Sequence, residues 1–125
     1  MELEINIVDA FTDVAFKGNS AAVIITDDWL ADDLMQSIAI ENNLSETAFV
    51  KRLTQKQYEI RWFSPMTEID FCGHATLASS FVIFAKNKNQ TQISFYAKAV
   101  GHLTISKMAD GYFQMDFPSR PPKTI

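Results

Sequence analysis

Residues 75–86 form a run in which only Thr76, Ser79, Ser80 and the terminal Lys86 interrupt apolar side chains. A helix apolar all round offers no face to water, so such a segment has to be covered on several sides. Whatever else the chain builds must therefore wrap it. The run is too short and too interrupted to span a bilayer, which takes about 20 apolar residues. No membrane role is expected from it.

The material available for wrapping is short and strand-like. Leu3, Ile5 and Ile7 alternate with Glu4 and Asn6, which predicts a half-buried strand with the apolar residues inward. Gly18-Asn19 signals a turn, and the apolar run 21–25 predicts a buried strand. Asp27 and Asp28 stand where a helix would be capped. Leu30, Leu34 and Ile38, with Met35, then fall at helical spacing as far as a stop at Asn42-Asn43. Residues 47–50 read as a strand. Tyr58, Ile60 and Trp62 alternate with Glu59 and Arg61 in another. After Ser64-Pro65, residues 68–71 read as a short extended piece. Three more strands are expected at 93–96, 102–105 and 112–117, with turns at Gly101 and Asp110-Gly111. The expected class is α+β: a curled, mostly antiparallel or mixed sheet wrapped around a central apolar helix, with a second helix outside.

The chain has 125 residues, enough for one core rather than two. Fifteen acidic residues against 11 basic ones give a net charge of −4. That balance argues against nucleic acid as a partner, because phosphate binding needs a basic face. Cys72 is the only cysteine, and His74 and His102 are the only histidines. An internal disulfide and a multi-cysteine zinc site are thus excluded, and two histidines fall far short of a His-rich metal motif. A reducing cytoplasm is the expected setting. The N-terminus lacks a basic segment followed by an apolar run, so no signal peptide is expected. The division expected is a domain over 1–117 followed by a proline-rich tail, 118–125.

Four places carry residue types suited to chemistry. Cys72-Gly73-His74-Ala75-Thr76 follows an extended segment and opens the apolar helix. The first turn of a helix presents unpaired backbone N–H groups and partial positive charge, which together receive a carboxylate or phosphate without any lysine. Gly73 admits close approach to that backbone, and His74 at its mouth can donate a hydrogen bond or shuttle a proton. Glu46 lies at a helix-to-strand junction beside Ala48 and Phe49. Apolar surroundings disfavour a charged carboxylate, which suits such a group to general acid–base work. Asn19 can offer its amide to a substrate oxygen, and Cys72 becomes a proton-transfer thiolate if the helix end favours its charged form. Each has a plainer reading: a capping histidine, a solvated loop glutamate, an ordinary turn, a small buried cysteine. His102 reads as structural.

Order and wording are more specific than any one of these signals. Val8-Asp9-Ala10-Phe11-Thr12 comes first, then Phe16-Lys17-Gly18-Asn19-Ser20-Ala21-Ala22-Val23 and Asn43-Leu44-Ser45-Glu46-Thr47-Ala48-Phe49. Arg61-Trp62-Phe63-Ser64-Pro65 and Glu68-Ile69-Asp70-Phe71-Cys72-Gly73-His74-Ala75-Thr76-Leu77-Ala78 follow. Taken in register, these five motifs closely resemble the PhzF family of phenazine-biosynthesis-like proteins, as far as Met115-Asp116-Phe117-Pro118. The resemblance implies one domain of the diaminopimelate epimerase-like fold, with an active site between two such domains. It implies a cofactor-free isomerase that moves a proton on a small amino- or hydroxy-carboxylic acid. Glu46 would be its general acid and base, and Asn19, Gly73, His74 and Ala75 would bind the substrate. It also implies that a second domain completes the cleft, with Pro121-Pro122 at the start of the connection. A complementary chain, or a second copy in a homodimer, is the expected partner. The related epimerases use a pair of cysteines, which a single Cys72 cannot supply. The alternative is a non-catalytic module that binds a small molecule, or a half-enzyme that needs a second chain.

Overall fold

The computed structural model describes residues 3–8, 21–44, 46–109 and 113–116. In chain order these form β1 (Ile5–Val8), β2 (Ala21–Thr26), α1 (Asp32–Asn42), β3 (Glu46–Arg52), β4 (Gln57–Phe63), β5 (Glu68–Ile69), α2 (Gly73–Lys86), β6 (Gln92–Ala97), β7 (Gly101–Lys107) and β8 (Phe113–Asp116). Among the described residues the strands make one sheet in the order β1-β2-β3-β4-β6-β7-β8, with β5 added to the end of β4. The β2–β3 and β4–β6 pairs are parallel and the others antiparallel. A parallel pair needs a long crossover. Here α1 makes the first crossover and α2 lies within the second.

The two helices lie on opposite faces of the sheet. Successive residues of a strand point to opposite sides. Ala21 and Val23 of β2, Ala48 and Val50 of β3, and Tyr58, Ile60 and Trp62 of β4 join a core with Ala75, Ala78, Val82, Ile83 and Phe84 of α2. The intervening Ile24, Phe49 and Phe63 pack with Met35 and Ala39 of α1. This explains the unbroken apolar run at 21–24, where all four residues are buried and the strand is covered on both faces.

The sheet curls. At one end of it Glu4, just before β1, pairs with Lys86 in the last turn of α2. At the other end Phe113 of β8 meets Phe84 of the same turn, with ring centroids 5.4 Å apart. Lys107 of β7 also sits over the Phe84 ring at 5.6 Å. The C-terminal turn of α2 is thus reached from both edge regions of the sheet.

Burial of α2 is not uniform. Eight of its residues are buried, but Phe81 is 48% exposed, and His74, Leu77 and Ala85 on the same stripe are also less covered. The expectation of a helix apolar and covered all round is corrected to one with an open stripe at i, i+3, i+4 spacing. Its buried hydroxyls are satisfied within the helix. Thr76 Oγ1 donates to the Cys72 carbonyl at 2.7 Å, Ser79 Oγ to Ala75 at 2.7 Å and Ser80 Oγ to Thr76 at 2.9 Å. Back-bonding of this kind lets small polar residues enter a core.

Two further expectations are corrected. β1 forms with the opposite phase: Ile5 and Ile7 are 42% and 65% exposed, and Asn6 and Val8 face α2. The register explains this, because Asn6 lies opposite Val23 and Val8 opposite Ala21, both of the α2-facing core. On the other face α1 packs over β3 and β4, and of the three expected inward residues only Leu3, just before β1, packs against its core. The outer helix also starts at Asp32 behind Ala31, which offers no side-chain cap, and Asp27 instead pairs with Arg52 at 2.9 Å. The face it buries carries Met35 and Ala39, while Leu34 is 38% exposed. The helix end at Asn42-Asn43 is as expected. Asn43 takes the left-handed conformation, φ 52°, and its N–H returns to the Ala39 carbonyl.

Trp62 Nε1 donates to Thr76 Oγ1 at 3.0 Å, a buried bond between β4 and the first turn of α2. Removing the acceptor strands an indole N–H in the core. Thr76→Val is therefore expected to cost about 1–3 kcal/mol. It should appear as a lower urea midpoint at unchanged m-value. Adding Trp62→Phe to Thr76→Val should cost less than the two single losses summed.

Candidate functional site

Asn43 stops α1, and the chain enters β3 at Glu46 two residues after Leu44. Thr47 faces α1, where Asn42 Nδ2 lies 3.5 Å from its hydroxyl. Alternation then puts Glu46 with Ala48 on the α2 face. Ala48 is opposite Trp62 in the β3–β4 register, and Trp62 holds Thr76. The structure thereby brings Glu46 beside the start of α2, which lies far from it in sequence.

Cys72 is the N-cap of α2, with φ −144° and ψ 105°. The Ala75 N–H donates to Cys72 Sγ at 3.4 Å, and the Thr76 N–H donates to the Cys72 carbonyl at 3.1 Å. The Glu46 carboxylate is near enough to act on the thiol electrostatically. Burial is the main cause that pushes the thiol up to about 11. The Glu46 charge adds to this, while the Ala75 and His74 N–H groups oppose it. The helix end therefore does not make Cys72 a thiolate, and that reading is corrected. Desolvation and a neighbouring carboxylate outweigh a partial positive charge.

His74 is partly covered, and its Nε2 is buried without a hydrogen-bond partner among the described residues. Gly73 is open to its surroundings. A Cβ built there would meet Phe71 Cζ at 3.6 Å, an ordinary contact, so packing does not demand glycine. Ala75 is fully buried with its N–H directed to the sulfur. Asn19 lies outside the described residues, as do the turns expected at Gly18-Asn19 and Asp110-Gly111. His102 is exposed, and its ring lies against that of Tyr96, with centroids 5.0 Å apart.

Sequence reasoning did not mark Arg61. Its Nε and Nη2 donate to the two oxygens of Glu68 at 2.8 and 2.7 Å, and its Nη1 donates to Asp32 at 3.0 Å. Its guanidinium also sits over the rings of Trp29 and Phe63. Such a bidentate, stacked arginine serves to tie β4, β5 and α1 together. Next to it a broad open hollow of about 1040 Å³ lies where β4 runs on beyond its short pairing with β6. Glu46, Gly73 and His74 are not in its lining. Among the described residues, no three His, Cys, Asp or Glu side chains gather as a metal would require, and no helix is long and apolar enough to cross a membrane.

A curled mixed sheet that carries a carboxylate near the start of a packed helix defines the class: an α+β domain with a glutamate beside a helix start. The phenazine biosynthesis-like protein family model matches residues 8–124, and the chain belongs to this PhzF family. An uncharacterized isomerase of Pseudomonas aeruginosa is 46% identical over 123 residues, 98% of this chain and 47% of its own length. The crystal structure of a PhzF family protein of Enterococcus faecalis superposes with TM-score 0.78 at 47% identity, covering 87% of this chain and 42% of that one. The structure of a predicted epimerase of P. aeruginosa has a TM-score of 0.68 at 21% identity, a likeness of fold alone. The chain spans about half the length of the curated relatives it matches.

A thiol held up at about 11 is almost wholly protonated at pH 8. Alkylation of the native protein by iodoacetamide should then be on the order of 100-fold slower than that of a free cysteine. Glu46→Gln should speed it several-fold by removing the adjacent charge. A rate that levels off near pH 7 would show a thiolate instead. Gly73→Ala should leave the melting temperature within a few degrees.

Proposed function

We propose that this chain is the N-terminal half of an isomerase that moves a proton on a small amino- or hydroxy-carboxylic acid, using no group beyond its own residues. The observation that carries the reading is the meeting of Glu46 with the start of α2. In this reading Glu46 is the general acid and base. The substrate carboxylate binds at Gly73 and His74, where His74 Nε2 waits for a partner. A carboxylate oxygen accepts more strongly than a thiol sulfur, so it can also draw the Ala75 N–H away from Cys72. Asn19 contributes its amide.

Charge forms on a substrate when a proton leaves a carbon next to a carboxylate or an unsaturated group. Backbone N–H groups at a helix start stabilise such charge where it develops. Glu46, once protonated, can return the proton at another position. Relatives named as isomerases support this chemistry. In the same proposal the domain spans 1–117 in a diaminopimelate epimerase-like arrangement with α2 at its centre. The tail 118–125 begins a connection, and a complementary domain or a second copy closes the cleft. The single free thiol suits a cytoplasmic setting.

The half-length match to relatives favours a second reading, a module that binds a small acid and turns it over only with a second chain. Deuterium uptake from heavy water into a panel of 2-amino and 2-hydroxy acids separates the two. The proposal expects uptake at carbon that falls by at least about 1,000-fold in Glu46→Gln, as loss of an acid–base group does. It expects a raised KM in His74→Ala and in Gly73→Ala. Saturable binding that needs His74, with no uptake in any mixture of chains, would establish the binding module instead.

A further inference from the structure

The chain reaches the first turn of α2 through a short lead-in, residues 68–72, whose two sides are held by different means. β5 is two residues long and adds only the pairs Trp62↔Ile69 and Phe63↔Glu68 to the sheet. On the α2 side Ile69 and Cys72 pack against the core, and the Phe71 ring meets Trp62 edge to face. Glu68 and Asp70 are exposed carboxylates that offer no apolar surface to pack. Glu68 is gripped instead by the Arg61 fork, whose Nε and Nη2 donate to its two oxygens at 2.8 and 2.7 Å. The fork is itself aimed. Its Nη1 donates to Asp32 in the first turn of α1 at 3.0 Å, and the guanidinium lies over the Trp29 and Phe63 rings at 5.6 and 5.5 Å. A planar guanidinium anchored in this way loses little further freedom when it takes a carboxylate. Gln36 of α1 adds a second tie, with Nε2 donating to the Ser64 carbonyl at the turn before β5 at 3.0 Å.

Cys72 ends this lead-in and supplies the acceptors for two N–H groups of the first turn, Sγ for Ala75 and the carbonyl for Thr76. We infer that Arg61 is a positioning residue for the start of α2. By gripping Glu68 it fixes the lead-in on the side that packing leaves uncovered, and so sets where the backbone of Gly73, His74 and Ala75 stands. Thr76 is held separately by the Trp62 indole, so the clamp governs the residues before it rather than the body of the helix. A site that receives a carboxylate on backbone N–H groups works only while those groups keep their places. The consequence for turnover rests on the isomerase reading above, whereas the hold on the helix start does not.

Amide hydrogen exchange in the full 125-residue protein reads this hold residue by residue. Glu68→Gln weakens the charge-assisted pair, and Arg61→Lys keeps the charge but loses the fork. In both, the Ala75 and Thr76 amides are expected to exchange about tenfold faster. The amides of Phe95 and Leu103, opposite each other in β6 and β7, should keep their native rates. An arginine that only braces α1 would loosen the Met35 amide, bonded to the Ala31 carbonyl, and leave Ala75 and Thr76 unchanged. That result, or an equal acceleration at Phe95 and Leu103, would overturn the inference. If Arg61→Lys fails to fold, Glu68→Gln decides it. In the deuterium-uptake assay Glu68→Gln should raise KM several-fold and change kcat less, as a displaced binding group does. An unmoved KM beside loosened Ala75 and Thr76 amides would also overturn it. Faster exchange at those two amides with no deuterium uptake even in the native protein would uphold the hold on the helix start and remove the isomerase reading alone.

Discussion

The bond from the Trp62 indole to Thr76 fixes the one relationship on which the candidate site depends, the place of the first turn of α2 against the sheet. Thr76 passes this constraint on to the Cys72 carbonyl, so strand, helix and cap form one connected set. Phe71 adds its ring against Trp62 in an edge-to-face contact, 5.5 Å between centroids. Glu46 reaches the same point from β3, which pairs with β4 along most of its length. A carboxylate and a helix start from distant parts of the chain are therefore held by a buried ladder rather than by a loop. A site built on rigid elements keeps its geometry better than one borne by loops.

Much of this was legible in the sequence, and the failures are informative. Tyr58, Ile60 and Trp62 are all buried, as their alternation predicts. Residues 21–24 form a strand covered on both faces, as an unbroken apolar run suggests. Asn43 ends a helix because it tolerates the left-handed conformation. β1 misled because Ile5 and Ile7 are more apolar than Asn6, yet the register turns Asn6 and Val8 to the covered side and leaves the two isoleucines exposed. Periodicity shows that a strand has two faces, but tertiary context chooses between them. In α1 the side chains at 34 and 35 are both apolar, and only packing against Phe49 and Phe63 selects Met35.

The site was legible in part. The types and spacing of Glu46, Gly73 and His74 admitted acid–base and anion-binding chemistry without requiring it, and no local pattern could show that Glu46 lies beside the start of α2. The state of Cys72 was less accessible still. A helix start favours a thiolate, and burial beside a carboxylate opposes it. Burial is the larger effect, and it comes from a core built mostly by residues outside the segment that carries the cysteine.

The curl of the sheet bears on how the domain is made. Lys86 meets Glu4 across 82 positions of sequence, and Phe84 meets Phe113 on the other side. Both contacts converge on one helical turn, so closing the sheet around it joins the first described strand to the last. Contacts so remote in sequence are paid for in chain entropy before they return any stability, which slows folding. During synthesis the apolar α2 would be complete well before β8 leaves the ribosome. The domain thus passes through an interval in which its most apolar segment has only part of its wall.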